Sequence, residues 1–510
     1  MNAPETGSNA SADAPSEFLK TMTEKVVIIG GGITGTAIAR ELSKYDNLKI
    51  AILEKEPDVA CGTTKANSGI IHAGYDDDPQ KYPVRAGLCS KGNHLWHDLT
   101  GKLDIPVRWI GSFVAAIKDE QIEVLEDLYE RGIKNRVPSM KILGKEEAGK
   151  MEPNIPGLKA ALWAPSEGVT SPYEAAIALA ENAIDNGVTL HLNTEVQAID
   201  LEKRKVTTNR GEFEADWIIN AAGLYGDKIS HMAEIYKSNA GVDIRIHPRK
   251  GEYFVFEYEC GCPVNHIIFP TPTPASKGIL IWPDAEGNTV IGPNAQDLPG
   301  DKKEDKSTTA EGLDEVYEKV RELVPTLPPR SRCIKNFAGL RAELPHTDFI
   351  IEGYNAGFIN AIGIRSPGLA SAPMTAKKVV DLMKEQGFSF SKKDKFNPYR
   401  RKIPRFNELS QKEKERLIKR DKRYARIVCW CEGVTEGEIV EAIKRGASTV
   451  EGVSFRTRAG MGRCQSGSCL PRIISIMSRE LGIPKDKIPL KAGDDHLLIG
   501  NIKALRRRNE

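Results

Sequence analysis

The sequence predicts a mixed α/β and α+β chain: a discontinuous Rossmann-like nucleotide-binding domain, an antiparallel-sheet domain inserted into it, and a small C-terminal helical domain that carries clustered cysteines. Three observations predict this. A glycine fingerprint, Gly30-x-Gly32-x-x-Gly35, stands between an apolar run and a helical pattern near the N-terminus. The stretch from about Arg245 to Val290 alternates as antiparallel strands do. Four cysteines, Cys429-x-Cys431 and Cys464-x4-Cys469, gather near the C-terminus.

The run Lys25 to Gly30 is short, apolar and ends in glycine, as a buried parallel strand does. Ile33, Ala37, Ile38 and Leu42 then share one face of a helix over Ile33 to Tyr45, and Lys49 to Glu54 reads as the next strand, which completes one βαβ unit. Glu174 to Asn186 has helical character, Thr189 to Asn193 reads as a strand, and Asp216 to Asn220 reads as another that runs into Ala221-Ala222-Gly223. In the middle, Glu252 to Phe256 and Ile279 to Trp282 are strands, with Gly287-Asn288 as a turn. Gly357 to Gly363 is a further strand and Ala370 to Gln386 the helix after it. From Ser391 to Arg426 lysine and arginine dominate and Pro398 and Pro404 interrupt. This reads as a solvated linker with one exposed helix over Glu408 to Lys422, or as a docking surface for an acidic partner.

The totals set bounds. At 510 residues the chain suits roughly three domains. A formal charge of +2 gives no global argument for nucleic acid, and the basic stretch is poor in the aromatics that stack on bases. Nine cysteines are too few for a disulfide scaffold, and their clustering favours metal binding in a reducing cytosol. No apolar run reaches the roughly 20 residues that cross a bilayer. Met1 to Thr21 lacks a basic and an apolar region, so residues 1–22 read as a disordered tail and not a signal peptide. The expected location is cytoplasmic, with peripheral attachment to the inner face of the cell membrane through a partner left open.

Each fingerprint glycine has a physical task. Gly30 permits the tight turn, Gly32 lets the backbone approach a pyrophosphate, and Gly35 lets helix and strand pack closely. The helix start offers free N–H groups to phosphate. Glu54 closes the second strand 19 residues after Gly35, where an acid binds ribose hydroxyls. Cysteine thiolates suit zinc or iron–sulfur clusters. Zinc ribbons favour two C-x2–4-C knuckles, whereas here Cys429-x-Cys431 is followed after 32 residues by Cys464-x4-Cys469. Thr435 is positioned to cap a helix over Glu436 to Arg445. Cys61, Cys89, Cys260, Cys262 and Cys333 read as ordinary core or surface residues.

Longer motifs carry a resemblance. The stretch Cys61-Gly62-Thr63-Thr64-Lys65-Ala66-Asn67-Ser68-Gly69-Ile70-Ile71-His72-Ala73-Gly74 resembles the segment beneath the flavin in the D-amino-acid-oxidase superfamily of FAD enzymes. Gly363-Ile364-Arg365-Ser366-Pro367-Gly368-Leu369 resembles that superfamily's second flavin-contacting loop. Phe337-Ala338-Gly339-Leu340-Arg341-Ala342-Glu343 and Lys250-Gly251-Glu252-Tyr253 resemble its substrate-side strands. Within the superfamily the chain is most similar to the catalytic subunits of anaerobic-type FAD-dependent glycerol-3-phosphate dehydrogenases. Those subunits end in a [2Fe–2S] module of the bacterioferritin-associated-ferredoxin type, whose cysteine spacing the four C-terminal cysteines resemble. L-2-hydroxyglutarate dehydrogenases and oxidases are similar around His72-Ala73-Gly74. One departure is Thr64-Lys65-Ala66-Asn67, where the superfamily often has Ser-x-Arg-Asn.

The resemblance implies a Rossmann-like FAD-binding domain at 23–95, 150–245 and 335–388, and a substrate domain at 96–149 and 246–334. It also implies a basic linker at 389–425, a [2Fe–2S] domain at 426–485 and a tail at 486–510. Flavin contacts are expected at Gly30, Gly32, Ile33, Thr34, Gly35, Glu54, Lys55, Thr63, Thr64, Asn67, Ser68, Gly69, Val196, Ala222, Gly223, Gly363, Gly368 and Leu369. Cys429, Cys431, Cys464 and Cys469 are the expected cluster ligands.

Oxidising a secondary alcohol needs a hydride acceptor, a base and cations for the substrate's anion. Arg341 is the first choice for the anion, since a guanidinium grips phosphate or carboxylate in a bidentate way. Arg365 is expected to hold phosphate or to stabilise reduced flavin, unless it is structural. His72 has three readings: the base, the point of covalent flavin attachment seen in some relatives, or a structural histidine. Tyr253 is expected to shape the pocket or to donate a hydrogen bond. The expected function is oxidation of sn-glycerol 3-phosphate to dihydroxyacetone phosphate, with electrons passed through the cluster to an electron-accepting subunit. The rivals are L-2-hydroxyglutarate oxidation and a non-catalytic flavo-iron–sulfur carrier.

Overall fold

A computed structural model describes residues 23–272, 278–344, 347–492, 495–498 and 500. The expected tail at 1–22 lies outside the described residues, as do residues 501–510.

Val26 to Ile29 are buried on both sides of their strand because layers cover both faces of the sheet they belong to. That sheet has six strands in the order Ile350–Tyr354, Phe358–Ile362, Trp217–Asn220, Glu24–Ile29, Leu48–Leu53, Thr189–His191. All neighbours are parallel except the antiparallel pair at the Ile350–Tyr354 edge. One face carries Val26, Ile28, Ile50, Ile52 and Ile219, which pack with helices Ile33–Leu42, Pro83–Lys102, Pro172–Asp185 and Gly368–Glu385. The other face carries Val27, Ile29, Leu53, Ile218 and Phe358. A three-stranded antiparallel sheet, Val196–Asp200, Lys205–Thr208 and Gly211–Glu214, covers it through Val196 and Val206.

A second, nine-stranded sheet forms the inserted layer. Its longest pairing is between His247–Phe256 and Cys333–Glu343, whose register sets Arg249 against Arg341 and Tyr253 against Phe337. Here the structure departs from the expected boundaries. Ala160–Ala164 and Cys333–Glu343 belong to this sheet, although 150–245 and 335–388 read as nucleotide-binding domain, and helix Pro83–Lys102 runs through the expected break at 95/96. Apolar periodicity marks a strand but not the sheet that it joins.

The C-terminal module is a short hairpin, Ile427–Cys429 with Val434–Thr435, and helices Glu436–Lys444, Val450–Thr457 and Leu470–Leu481 around a core of Val428, Ile439, Val453, Ile473 and Met477. Thr435 begins the first helix with a capping box: Glu438 N–H donates to its hydroxyl, and Thr435 N–H donates to Glu438 Oε2 at 2.7 Å. The expected tail at 486–510 starts too early. Ile488 is buried in the module core, and the N–H groups of Val450 and Glu451 donate to the carbonyls of Pro489 and Leu490.

The first part of the basic segment, around residues 397–405, is not solvated linker. The carbonyl of Asn397 accepts from the side chains of Asn182 and Asn186, Arg400 pairs with Glu181 at 2.6 Å, and Arg405 pairs with Glu174 at 2.6 Å. The one α-helix of the whole segment is Gln411–Arg420. Arg400 and Arg405 are spent on acids that lie far away along the chain, while the cations of helix Gln411–Arg420 stay largely exposed. Among the described residues no helix is long and apolar enough to cross a membrane.

Candidate active site and cluster site

The fingerprint turn is built on backbone proximity. Gly30 has φ +109°, and a Cβ there would lie 2.5 Å from the carbonyl oxygen of Ala221. A Cβ on Gly35 would lie 2.0 Å from the carbonyl oxygen of Gly30, so only glycine lets this helix start against its strand. Helix Ile33–Leu42 has no side-chain cap at Gly32 and no acid in its first turn, which leaves positive dipole open to an anion. Glu54 is buried, and its carboxylate accepts from Gly31 N–H at 2.6 Å and Glu56 N–H at 3.0 Å. Burial pushes this carboxyl up and the two N–H bonds oppose that.

These residues open onto a cavity of about 1290 Å³ between the two large sheets. It exceeds the roughly 300–1,000 Å³ of ordinary ligand pockets, as a dinucleotide with a substrate beside it requires. Gly30, Gly32, Ile33, Thr34, Glu54, Lys55, Thr63, Thr64, Asn67, Ser68, Val196, Ala222, Gly223, Gly368 and Leu369 line it. Gly35, Gly69 and Gly363 do not. Gly69 and Gly363 act through backbone conformation, at φ +67° and +66°. Thr64 Oγ1 accepts from Ile33 N–H at 3.0 Å, and Thr63 Oγ1 donates to the carbonyl of Leu340 at 2.8 Å. These bonds tie the 61–74 segment both to the fingerprint helix and to the inserted sheet.

His72, Tyr253, Arg341 and Arg365 all line the same cavity. The Arg341 guanidinium donates to the carbonyls of Lys250 at 3.5 Å and Asn294 at 3.2 Å, and it is hydrogen-bonded to Tyr253. Among the described residues no carboxylate pairs with it. Tyr253 is buried with its ring stacked on Phe337 at 4.6 Å, and burial raises its phenol while Arg341 lowers it. Arg365 differs: its Nε meets Glu343 Oε1 at 2.6 Å, so its charge is already matched. Lys250 is 2% exposed, reaches toward Asp305 at 3.4 Å and does not line the cavity. His72 Nδ1 lies 3.6 Å from Glu167 Oε1. Glu167 was not singled out from the sequence: it sits 95 positions from His72, in no motif.

At the C-terminal module the four cysteines form two pairs. The thiols of Cys429 and Cys469 are in hydrogen-bonding reach, as are those of Cys431 and Cys464. Among the described residues no group of three or more His, Cys, Asp or Glu is arranged to hold a single metal ion. Two thiol pairs instead fit a cluster of two irons with four cysteine ligands. The bond from Cys469, then N–H groups of Gly460 and Glu432, pull the Cys429 thiol down to about 6. The Ser468 N–H chiefly lowers Cys464, while the bond to Cys429 raises Cys469 and burial, then the bond to Cys464, raises Cys431. Cys429 and Cys469 are buried, Cys431 is exposed, and the intervening Trp430 is 69% exposed, so one edge of the site reaches solvent.

The opposite edge packs on the nucleotide-binding body. Phe455 stacks on Tyr173 at 4.4 Å, and the Tyr173 hydroxyl donates to Met461 Sδ at 3.6 Å. Lys65, from the segment resembling the flavin loop, pairs with Glu451 at 2.6 Å. Arg458 bridges Glu286 at 3.1 Å and Glu432 at 2.8 Å, and Glu432 directly follows Cys431.

Comparison with known proteins gives the same two parts. A family model described as FAD dependent oxidoreductase matches residues 25–382, and one described as BFD-like [2Fe-2S] binding domain matches residues 427–479. A Glycerol 3-phosphate dehydrogenase of Caloramator mitchellensis is 46% identical over 488 residues, which cover 94% of this chain and 99% of that protein. The solved structure of dithionite-reduced L-alpha-glycerophosphate oxidase from Mycoplasma pneumoniae with FAD bound superposes with a TM-score of 0.67 at 31% identity, over 74% of this chain and 98% of the other. The mitochondrial L-2-hydroxyglutarate dehydrogenase of Homo sapiens is 31% identical over 297 residues, 55% of this chain and 62% of that protein.

Proposed function

Because this chain belongs to the FAD dependent oxidoreductase family and binds FAD in its N-terminal body and a [2Fe–2S] cluster in its C-terminal module, we propose that it oxidises sn-glycerol 3-phosphate to dihydroxyacetone phosphate. The observation that carries the reading is Arg341, a cavity guanidinium held by carbonyls and no described carboxylate, and so ready to pair with a dianionic phosphate. The Caloramator mitchellensis protein supports it, since the likeness runs through both bodies, whereas the likeness to L-2-hydroxyglutarate dehydrogenase covers 55% of this chain.

In this reading the residues divide the work. Arg341 grips the phosphate, and Tyr253, packed on Phe337, holds that guanidinium in place. His72 accepts the proton as the substrate O–H breaks, while the C–H on the same carbon leaves as hydride and the C=O forms. Bound FAD supplies the hydride acceptor. The fingerprint turn and the start of helix Ile33–Leu42 hold the cofactor's pyrophosphate, and Glu54 the ribose. Cys429, Cys431, Cys464 and Cys469 hold the cluster, the one-electron outlet toward an electron-accepting subunit and then a quinone or another acceptor. That subunit docks over the exposed Trp430–Cys431 edge and supplies whatever attachment the enzyme has to the inner face of the membrane.

Anaerobic titration of the holoenzyme tests the reading. Sn-glycerol 3-phosphate is expected to bleach the flavin and then the cluster absorbance. No bleaching sinks the proposal, bleaching by L-2-hydroxyglutarate instead selects that substrate, and reduction by a donor protein alone selects the carrier reading. Flavin that stays with the acid-denatured chain would mark covalent attachment.

A further inference from the structure

We propose that Glu167 is a positioning residue for His72: its buried carboxylate selects the imidazole tautomer that turns Nε2 toward the cofactor cavity. This rests on His72 being the base.

The pairing of two strands creates the juxtaposition. Ile70 lies opposite Val169 and Ile71 opposite Gly168 in an antiparallel ladder. One further step along each strand sets His72 across from Glu167. A Cβ on Gly168 would lie 2.5 Å from the Trp109 ring, so this corner is tightly packed and the two side chains have little freedom.

The Glu167 side chain is 1% exposed. Its Oε1 accepts from Ala73 N–H at 2.9 Å and stands 3.6 Å from His72 Nδ1. That separation is longer than a hydrogen bond, as catalytic contacts often are before substrate binds. Oε2 is buried with no hydrogen-bond partner among the described residues. Beside it lies a cavity of about 30 Å³ lined by His72, Glu167, Tyr75, Asp76 and Asp77, with room for a water. His72 lines both this small cavity and the large one, and its Nδ1 is the ring nitrogen nearest Glu167. Its ring centroid is 5.8 Å from that of Phe269, an apolar neighbour that offers no competing acceptor.

Chemistry follows from this placement. A carboxylate accepts only, so it favours the tautomer with the proton on Nδ1 and leaves Nε2 as the free lone pair. When the substrate O–H breaks, that proton goes to Nε2 and the ring becomes a cation beside a buried anion. Their attraction, strong where water is excluded, lowers the barrier to the transfer.

The test combines a spectroscopic and a kinetic readout on the holoenzyme. Nitrogen-15 histidine NMR, with the His72 signals identified by their loss in His72→Asn, is expected to show the Nδ1–H tautomer in the wild type and a mixture in Glu167→Gln. The limiting rate of flavin reduction by sn-glycerol 3-phosphate in Glu167→Gln is expected to fall about 100-fold. The substrate dissociation constant from the same titration should stay within about twofold, since binding the anion falls to Arg341. Glu167→Asp, which keeps the charge but withdraws it by one methylene, is expected to lose less and to keep more of the Nδ1–H form. It carries the comparison if the Gln protein does not accumulate. An unchanged tautomer and rate in both variants, with reduction abolished in His72→Asn, overturns the proposal and leaves the base reading intact. Undiminished reduction in His72→Asn overturns both.

Discussion

At the scale of single residues, what matters is how each charge is matched. Arg341 and Arg365 both line the cavity, and the sequence offered both as possible holders of phosphate with Arg341 first, yet their surroundings differ. Arg365 meets Glu343 at 2.6 Å, whereas among the described residues Arg341 has only the carbonyls of Lys250 and Asn294 and the Tyr253 side chain. A phosphate brought to Arg341 displaces no carboxylate, so the pair is gained in full. Arg341→Ala is expected to lower kcat/KM for glycerol 3-phosphate by about 10- to 100-fold, roughly the worth of one charge-assisted hydrogen bond at about 1.5–3 kcal/mol. Arg341→Lys should recover only part, because a point charge cannot reproduce the planar fork. Steady-state kinetics on the two variants checks this; a loss no larger than that of Arg365→Ala would assign the anion elsewhere. Lys250 shows the converse. It stands in a motif that resembles a substrate-side strand, but burial and Asp305 turn it inward.

At the scale of elements, pairings decide more than propensities. Helix Val450–Thr457 presents Arg456 to Asp58, in the loop after strand Leu48–Leu53, and both side chains are at most 5% exposed. Arg456 Nη2 donates to Asp58 Oδ1 at 2.9 Å. Removing one partner strands a charge where water does not reach. Arg456→Met is therefore expected to destabilise the docking of the cluster module by about 3–5 kcal/mol, and Arg456→Met with Asp58→Leu to recover most of that loss. The midpoint of the earliest denaturant transition reports it, and equal midpoints for wild type and single variant would refute it. The basic stretch 389–425 belongs to the same argument. Its cations could not be assigned partners in the sequence because those partners, Glu174 and Glu181, lie more than 200 positions away on one helix, Pro172–Asp185.

At the scale of the whole molecule, a two-electron and a one-electron centre share one chain, and the seam between their bodies is built from buried contacts. The Phe455–Tyr173 stack and the Lys65–Glu451 pair hold the module against the nucleotide-binding body, and Arg458 ties the cysteine loop, through Glu432, to Glu286 in a turn of the inserted sheet. The two centres are expected to separate chemically. Cys469→Ala should lose iron and acid-labile sulfide and fail to pass electrons on, while anaerobic bleaching of the flavin by substrate persists. Metal analysis with stopped-flow absorbance distinguishes this from a module needed for flavin binding itself, in which case flavin content would fall too.

The local pattern of the chain determined the nucleotide-binding unit and the grouping of the four cysteines that we propose hold the cluster. Gly30, Gly32, Gly35 and the Cys429, Cys431, Cys464 and Cys469 spacings are legible because turns, helix starts and paired ligands are set by neighbours along the backbone. Only the tertiary structure decided that Cys333–Glu343 joins the inserted sheet, that the first part of the basic segment is an ion-paired strap, and that Glu167 stands behind His72. These depend on contacts between residues far apart in sequence, where packing and the desolvation of charge select the partner and no local period records it.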